Sequence, residues 1–119
     1  NRSKFKVCDL NEFNYGKYDL IVSNPPYIPS RDIKSLSQDI TSFEPLVALN
    51  GGKDGLDLIK KVIYKSSVLL KKNGLFSLEI GTNQYAKVLN IMNVYKFRIV
   101  WKEYDCNDNV RCIISTKHN

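Results

Sequence analysis

The residues best equipped for chemistry are Asn24-Pro25-Pro26-Tyr27, directly after the apolar run Leu20-Ile21-Val22. Asn24 precedes a proline, which pushes its backbone into an extended conformation. Pro25 and Pro26 carry no N–H and cannot extend a ladder of hydrogen bonds. The expected product is a stiff, donor-free loop at the carboxyl end of a buried strand that starts at Asp19. In open α/β sheets that is where ligands bind. The loop offers acceptors, the Asn24 amide oxygen and the Pro25 carbonyl, beside the ring of Tyr27. Such a corner suits a planar group with N–H donors, an amide or a nucleobase edge. A nitrogen of that kind is a poor nucleophile, because its lone pair is delocalised. Acceptors that hold its N–H groups are fixed dipoles that stabilise the positive charge developing as it is alkylated. Tyr27 would stack on the planar group and fix its orientation. No strong base is needed, since the proton leaves once the nitrogen has become acidic. The bland alternative is a turn, for which Asn-Pro-Pro is good punctuation anywhere. A buried strand directly ahead of it favours a site.

Several elements must position this loop. Phe5-Lys6-Val7-Cys8 alternates weakly and predicts a short strand ending at Asp9-Leu10. Asn11 to Lys17 is a polar connection. From Ser30 to Gly52 no period is clean: Ser30-Arg31-Asp32 can cap a helical turn, and Ile33, Leu36 and Ile40 mark a short amphipathic piece. Phe43-Glu44-Pro45 is a turn, and Leu46-Val47-Ala48-Leu49 a short extended or buried run. A long, irregular connection of this kind is uncommon unless it covers a site. Glu44 either anchors that cover or contacts the substrate. Asn50-Gly51-Gly52 reads as a hinge. Asp54 is the expected N-cap of a helix with Asp57 in its first turn. Leu56, Ile59, Val62, Ile63, Leu69 and Leu70 form its apolar stripe. Asn73-Gly74 is its expected stop. Leu75 to Ile80 is a mostly apolar strand in which Glu79 needs partners. Thr82 is a candidate cap for a helix carrying Tyr85, Val88, Leu89 and Met92. Phe97 to Glu103 and Val110 to Thr116 then form an antiparallel pair around a turn at Cys106 to Asn109.

Asn24-Pro25-Pro26-Tyr27 resembles the NPPY motif of class I methyltransferases, which use S-adenosyl-L-methionine to methylate planar nitrogens. Ile28-Pro29, Phe43-Glu44-Pro45, Ala48-Leu49, Gly51-Gly52, Asp54-Gly55-Leu56, Leu78-Glu79-Ile80-Gly81, Asp108-Asn109 and Arg111 narrow the likeness. In this order they resemble the peptide-chain release factor N5-glutamine methyltransferases, over nearly the whole chain. The tetrapeptide alone is shared with adenine-N6 DNA and guanine-N2 rRNA methyltransferases. The resemblance implies the carboxyl-terminal half of a class I methyltransferase α/β sheet, Rossmann-like, with a terminal antiparallel strand pair. It implies N5-methylation of a glutamine in a release factor, a translation-termination protein. Asn24 and the Pro25 carbonyl would orient the amide, Pro26 would stiffen the loop, and Tyr27 would pack on the substrate. Asp9, Leu10 and Asn24 would lie against the cofactor, with Leu10 packing near its adenine. Ordinary roles for Leu10 as core and Asp9 as a turn residue stand beside that reading.

A complete enzyme of this kind also needs a strand ending in a glycine-rich turn and another ending in a ribose-binding acid. Neither is legible in these 119 residues, which begin at Asn1 rather than Met. The expectation is a carboxyl-terminal piece of a catalytic domain spanning 1–119, whose amino-terminal cofactor-binding part lies elsewhere. Composition is that of a soluble globular chain, 43% hydrophobic and 25% charged, with no apolar run near membrane-span length. Cys8, Cys106 and Cys112 lack a Cys-x-x-Cys pair and fit reduced thiols in a cytoplasmic protein. His118 is the single histidine, so neither a zinc site nor a histidine-based triad is expected. A net charge of +6 permits nucleic acid, but the lysines are scattered and form no compact cluster. The alternatives are a nucleic-acid methyltransferase piece, and a non-catalytic split-gene remnant or binding module.

Overall fold

In the computed structural model, which describes residues 2–118, four strands form one sheet in the order β1-β2-β4-β3. They are β1 (Tyr18–Ser23), β2 (Leu70–Glu79), β3 (Arg98–Tyr104) and β4 (Val110–Thr116). β1 and β2 run parallel, with helix α2 (Asp57–Leu69) in the crossover between them. Helix α3 (Tyr85–Val94) carries the chain from β2 towards β3. β4 lies antiparallel to both β2 and β3. The α/β sheet with a terminal antiparallel pair is therefore present as expected.

The two faces of the sheet differ. Along β2, Phe76 and Leu78 point one way and Leu75, Ser77 and Glu79 the other, as a pleated strand requires. On the first face the apolar stripes of α2 and α3 meet the sheet. Ile59, Ile63, Phe76, Leu78, Val88 and Met92 are fully enclosed there. The pairing Leu20↔Leu75, Val22↔Ser77↔Ile114↔Trp101 puts those side chains on the second face. Leu20, Val22 and Trp101 remain 57%, 69% and 59% exposed. No layer covers that face among the described residues.

Several sequence expectations are corrected. Phe5 to Cys8 forms no strand and is exposed, because no neighbouring strand offers it a ladder. β1 is an edge strand with one open face, rather than buried. Leu46–Ala48 is a short 3-10 helix with Leu46 and Val47 in water, and of this run only Leu49 is buried. α2 begins after Leu56, two residues beyond Asp54, whose carboxylate instead accepts from the Leu56 N–H at 3.0 Å. α2 also ends at Leu69, short of Asn73-Gly74. Sheet pairing wins there: Leu70 pairs with Tyr18, and Asn73 N–H donates to the Lys117 carbonyl at 2.9 Å. Asn73 keeps the left-handed backbone its sequence suggests, with φ 61°, but inside a strand. Thr82 does not cap α3; Gln84 occupies that position.

Candidate active site

β1 delivers the chain to the carboxyl rim of the sheet, and the two prolines stop it there. Asn24 is exposed and Pro25 buried beneath it. The next residues are fastened to the segment read as a hinge. Ile28 N–H donates to Leu49 O at 3.2 Å, Gly51 N–H to Ile28 O at 2.8 Å, and Ser30 N–H to Gly52 O at 2.7 Å. Ser30 Oγ adds a bond to Asn50 Oδ1 at 2.9 Å. Asn50-Gly51-Gly52 is thus a brace for the loop, not a hinge. Close approach explains the glycines. A Cβ on Gly51 would lie 2.8 Å from Pro26 O, and one on Gly55 would lie 2.2 Å from Tyr27 O. Gly55 also has φ +78°, which disfavours any side chain.

Gln84 was missed by sequence reasoning, although it fixes the loop from the other side. Its buried Oε1 accepts from Gly81 N–H at 2.8 Å. Its Nε2 donates to Tyr27 O at 2.8 Å and to Gly55 O at 3.4 Å. One amide therefore ties the end of β2, the proline loop and the start of α2 together. A glutamine directly ahead of a helix carries no sequence signal for that role.

The Tyr27 side chain is tethered as well. Its hydroxyl donates to Glu79 Oε1 at 3.3 Å and accepts from Arg111 Nη2 at 2.9 Å. The Arg111 guanidinium sits 5.6 Å from the ring centroid, and its Nε donates to Ile80 O at 3.0 Å. Asp105, held in the β3–β4 turn, lies 3.6 Å from Arg111 Nη1. Backbone hydrogen bonds, that from Asn109 above all, hold the Asp105 carboxyl below the usual range. Burial pushes the Tyr27 hydroxyl above its ordinary value; Arg111 opposes this and Glu79 adds to it. Glu79 thereby has a partner, the Tyr27 hydroxyl, for a carboxylate in an apolar strand.

Asn24, Pro25, Pro26, Tyr27 and Glu44 all border one cleft of about 310 Å³, with Ile40, Ala48 and Leu49. Glu44 follows helix α1 (Gln38–Phe43), which forms part of the cover. The Asn24 side chain has no hydrogen-bond partner among the described residues, and the Pro25 carbonyl accepts no backbone N–H there. Two acceptors without a partner among the described residues thus belong to residues that border the cleft. Asp9 and Leu10 do not join them. Asp9 accepts from Asn11 N–H at 2.7 Å and caps a 3-10 turn, while Leu10 lines an apolar groove of about 330 Å³ beside β1 and α2.

S-adenosyl-L-methionine would need apolar contact for adenine, a carboxylate for the ribose hydroxyls and a close backbone turn for the methionine end. Leu10 and its groove can supply the first. The Asp9 carboxylate is already used by Asn11, and Gly51 and Gly55 are filled by the proline loop. The described residues thus fit only part of that molecule.

A parallel pair continued by an antiparallel pair, with an Asn-Pro-Pro-Tyr loop at the rim, defines the carboxyl-terminal side of a methyltransferase sheet. The family model described as Eco57I restriction-modification methylase matches residues 1–114, and the chain belongs to that family. Among curated relatives, the release factor glutamine methyltransferase of Rhodospirillum rubrum is 35% identical over 116 residues, 98% of this chain and 36% of the relative. That of Clostridium acetobutylicum is 43% identical over 76 residues, 64% of this chain and 27% of the relative. The crystal structure of a release factor-specific protein-(glutamine-N5) methyltransferase from Alicyclobacillus acidocaldarius superposes with a TM-score of 0.50 at 25% identity. That match covers 87% of this chain and 50% of that one. The chain spans about a third of the length of these curated relatives.

Proposed function

We propose that this chain is the carboxyl-terminal portion of a catalytic domain that N5-methylates a glutamine side chain in a peptide chain release factor. The observation that carries this reading is the pair of acceptors with no partner among the described residues, Asn24 Oδ1 and Pro25 O, on residues that border the cleft. Their chemistry matches the two N–H groups of a primary amide. The names of the relatives supply the substrate class.

When bound, S-adenosyl-L-methionine supplies a methyl group carried on a sulfonium. The residues of this chain present the nitrogen. Asn24 and the Pro25 carbonyl accept its two N–H bonds and hold the amide plane, so the lone pair points at the electrophile. As the N–C bond would form and the sulfonium's S–CH3 bond break to leave a neutral thioether, nitrogen would become positive and both hydrogen bonds would strengthen. The extra proton then passes to water. Pro26 and the Tyr27 tether keep the acceptors from relaxing, so little of the gain is lost to reorganisation. Glu44 borders the amide from the cover, and Leu10 would meet the adenine.

The amino-terminal part is assigned two contacts: a parallel strand along the free edge of β1, and helices over the open face that carries Leu20, Val22 and Trp101. An α/β sheet is stable when both faces are covered.

A second reading, methylation of adenine in DNA, is favoured by the description of the family model. Methyl transfer by the full-length protein to release factor, against duplex DNA and rRNA, separates the two. Asn24→Ala should lower turnover by about 10²–10³-fold, the cost of one lost transition-state acceptor. Cofactor affinity should stay close to wild type. Unchanged turnover removes Asn24 from the mechanism. Micromolar binding of S-adenosyl-L-methionine by residues 1–119 alone, read by calorimetry, refutes the need for an amino-terminal part.

A further inference from the structure

The cover over the cleft has two sides, and the reading above uses only the inner one. Ile40, Glu44 and Ala48 face the cleft. Phe43 and Val47 are 83% and 82% exposed, and Leu46 between them is also in water. These three apolar side chains follow one another across the end of α1 and the 3-10 turn. Leu46 and Val47 also border an open groove of about 510 Å³ against the first turns of α2, where Leu58 adds an apolar wall. Single exposed apolar residues are ordinary, but neighbouring ones beside a functional cleft mark an interaction surface.

The charge of this region runs against that of the chain. The chain has 18 Lys and Arg and a net charge of +6. From Ser35 to Gly52 there is neither Lys nor Arg, while Asp39 and Glu44 are present. In the groove, Asp57 and Lys61 stand four residues apart on α2 and offset each other. From Ser35 on, the cover is therefore apolar with only acidic charges, Asp39 and, on the cleft side, Glu44, whereas Arg31 and Lys34 stand at its start. A nucleic-acid backbone is bound by Lys and Arg, and the part of the cover that carries Phe43, Leu46 and Val47 has none. A polypeptide with an apolar anchor and basic neighbours is complementary in both respects.

We infer that the outer side of the cover, Phe43, Leu46 and Val47, is the docking surface for the protein substrate. It takes an apolar side chain flanked by basic residues. The inference rests on the glutamine-methyltransferase reading and adds to it how the protein substrate is selected over nucleic acid. Docking there places the substrate chain across the rim that presents Asn24.

The test uses the full-length protein and steady-state methylation of a release factor. Phe43→Ser combined with Val47→Ser should raise the KM for the release factor about tenfold, the usual effect of losing an apolar anchor. Turnover at saturation and the KM for S-adenosyl-L-methionine should not change. The thermal midpoint should not move either, because both side chains stand in water. Two further variants read the charge. Val47→Glu and Val47→Lys both remove the apolar contact, and Lys should raise the KM more than Glu. An unchanged KM in the double variant, with wild-type protein active on the release factor, overturns the docking surface and leaves the proposed function standing. A fall in thermal midpoint shows that the patch packs inside the full-length protein and also overturns it. Val47→Lys no worse than Val47→Glu overturns the basic partner. Wild-type protein that methylates DNA and not release factor overturns the function itself.

Discussion

Replacing Gln84 by Glu exchanges an amide for a carboxylate of the same shape, and it tests how the proline loop is held. The Oε1 bond from Gly81 N–H survives the change. The two bonds given by Nε2, to Tyr27 O at 2.8 Å and Gly55 O at 3.4 Å, become oxygen facing oxygen. Leaving a buried acceptor unpaired costs about 1–3 kcal/mol. The Tyr27 bond is short and counts near the middle of that range; the Gly55 bond is long and counts at the bottom. The two losses come to about 3 kcal/mol at neutral pH, and repulsion between the new charge and both carbonyls acts in the same direction. A small domain has a urea slope of about 1–3 kcal/mol/M, so the midpoint should fall by roughly 1.5 M. The pH dependence gives the sign. Burial and the facing carbonyls raise the introduced carboxyl above its unfolded value of about 4.3. When protonated it donates to Tyr27 O as the amide did. Its contribution is therefore fully present below about pH 4 and is lost as pH rises through the higher folded value. The deficit relative to wild type should accordingly grow from acid towards neutral pH in urea titrations. An unchanged midpoint at neutral pH, or a deficit that is flat with pH, refutes the proposed role of Gln84.

Gly55→Ala puts a Cβ 2.2 Å from Tyr27 O at a left-handed position, and should cost about 2 kcal/mol or more in thermal or urea denaturation. Tyr27→Phe removes the hydroxyl shared by Glu79 and Arg111 and should lower both the thermal midpoint and turnover. Because the folded state raises the Tyr27 hydroxyl, its contribution is present below the ordinary tyrosine value and is lost as pH climbs through the raised one. The gap in thermal midpoint between wild type and Tyr27→Phe should therefore narrow in strongly alkaline buffer. Leu20→Lys lies on the open face and should change the stability of residues 1–119 by no more than about 0.5 kcal/mol. It should nevertheless block reconstitution with a separately expressed amino-terminal part, read by co-elution in gel filtration.

The sheet and its helices were legible because period and punctuation agree with packing. The stripe Ile59, Val62, Ile63 and Leu69 is the buried face of α2, and the turn before Val110 does reverse the chain. The acceptor corner was legible too, since Pro25 and Pro26 impose their geometry wherever they stand. Failures came where a neighbour decides the outcome. Phe5 to Cys8 has strand chemistry but nothing to pair with, whereas Leu70 to Asn73 has helix-end chemistry and is drawn into β2 by Tyr18 and Lys117. Gly51-Gly52 looks flexible in sequence, yet a glycine also allows the closest backbone contact, and that is its use here.

The site therefore divides into two kinds of information. The groups proposed to touch a substrate, Asn24 and Pro25, lie next to each other in the chain and are visible as a motif. The groups that hold them still are Gly51, Gly55, Gln84, Glu79 and Arg111, which come from the connection before α2, the cap of α3, the end of β2 and β4. A loop with free acceptors keeps its catalytic geometry only if those acceptors cannot turn towards water or the backbone. With no N–H on Pro25 or Pro26, the start of the loop cannot stabilise itself, and the Tyr27 and Ile28 carbonyls are held by donors from Gln84 and Gly51. The same two prolines that shape the corner thus make it dependent on the segments before α2, around α3 and in β4. That dependence is why changes at Gln84 or Gly55, neither of which borders the cleft with Asn24, should alter turnover as well as stability.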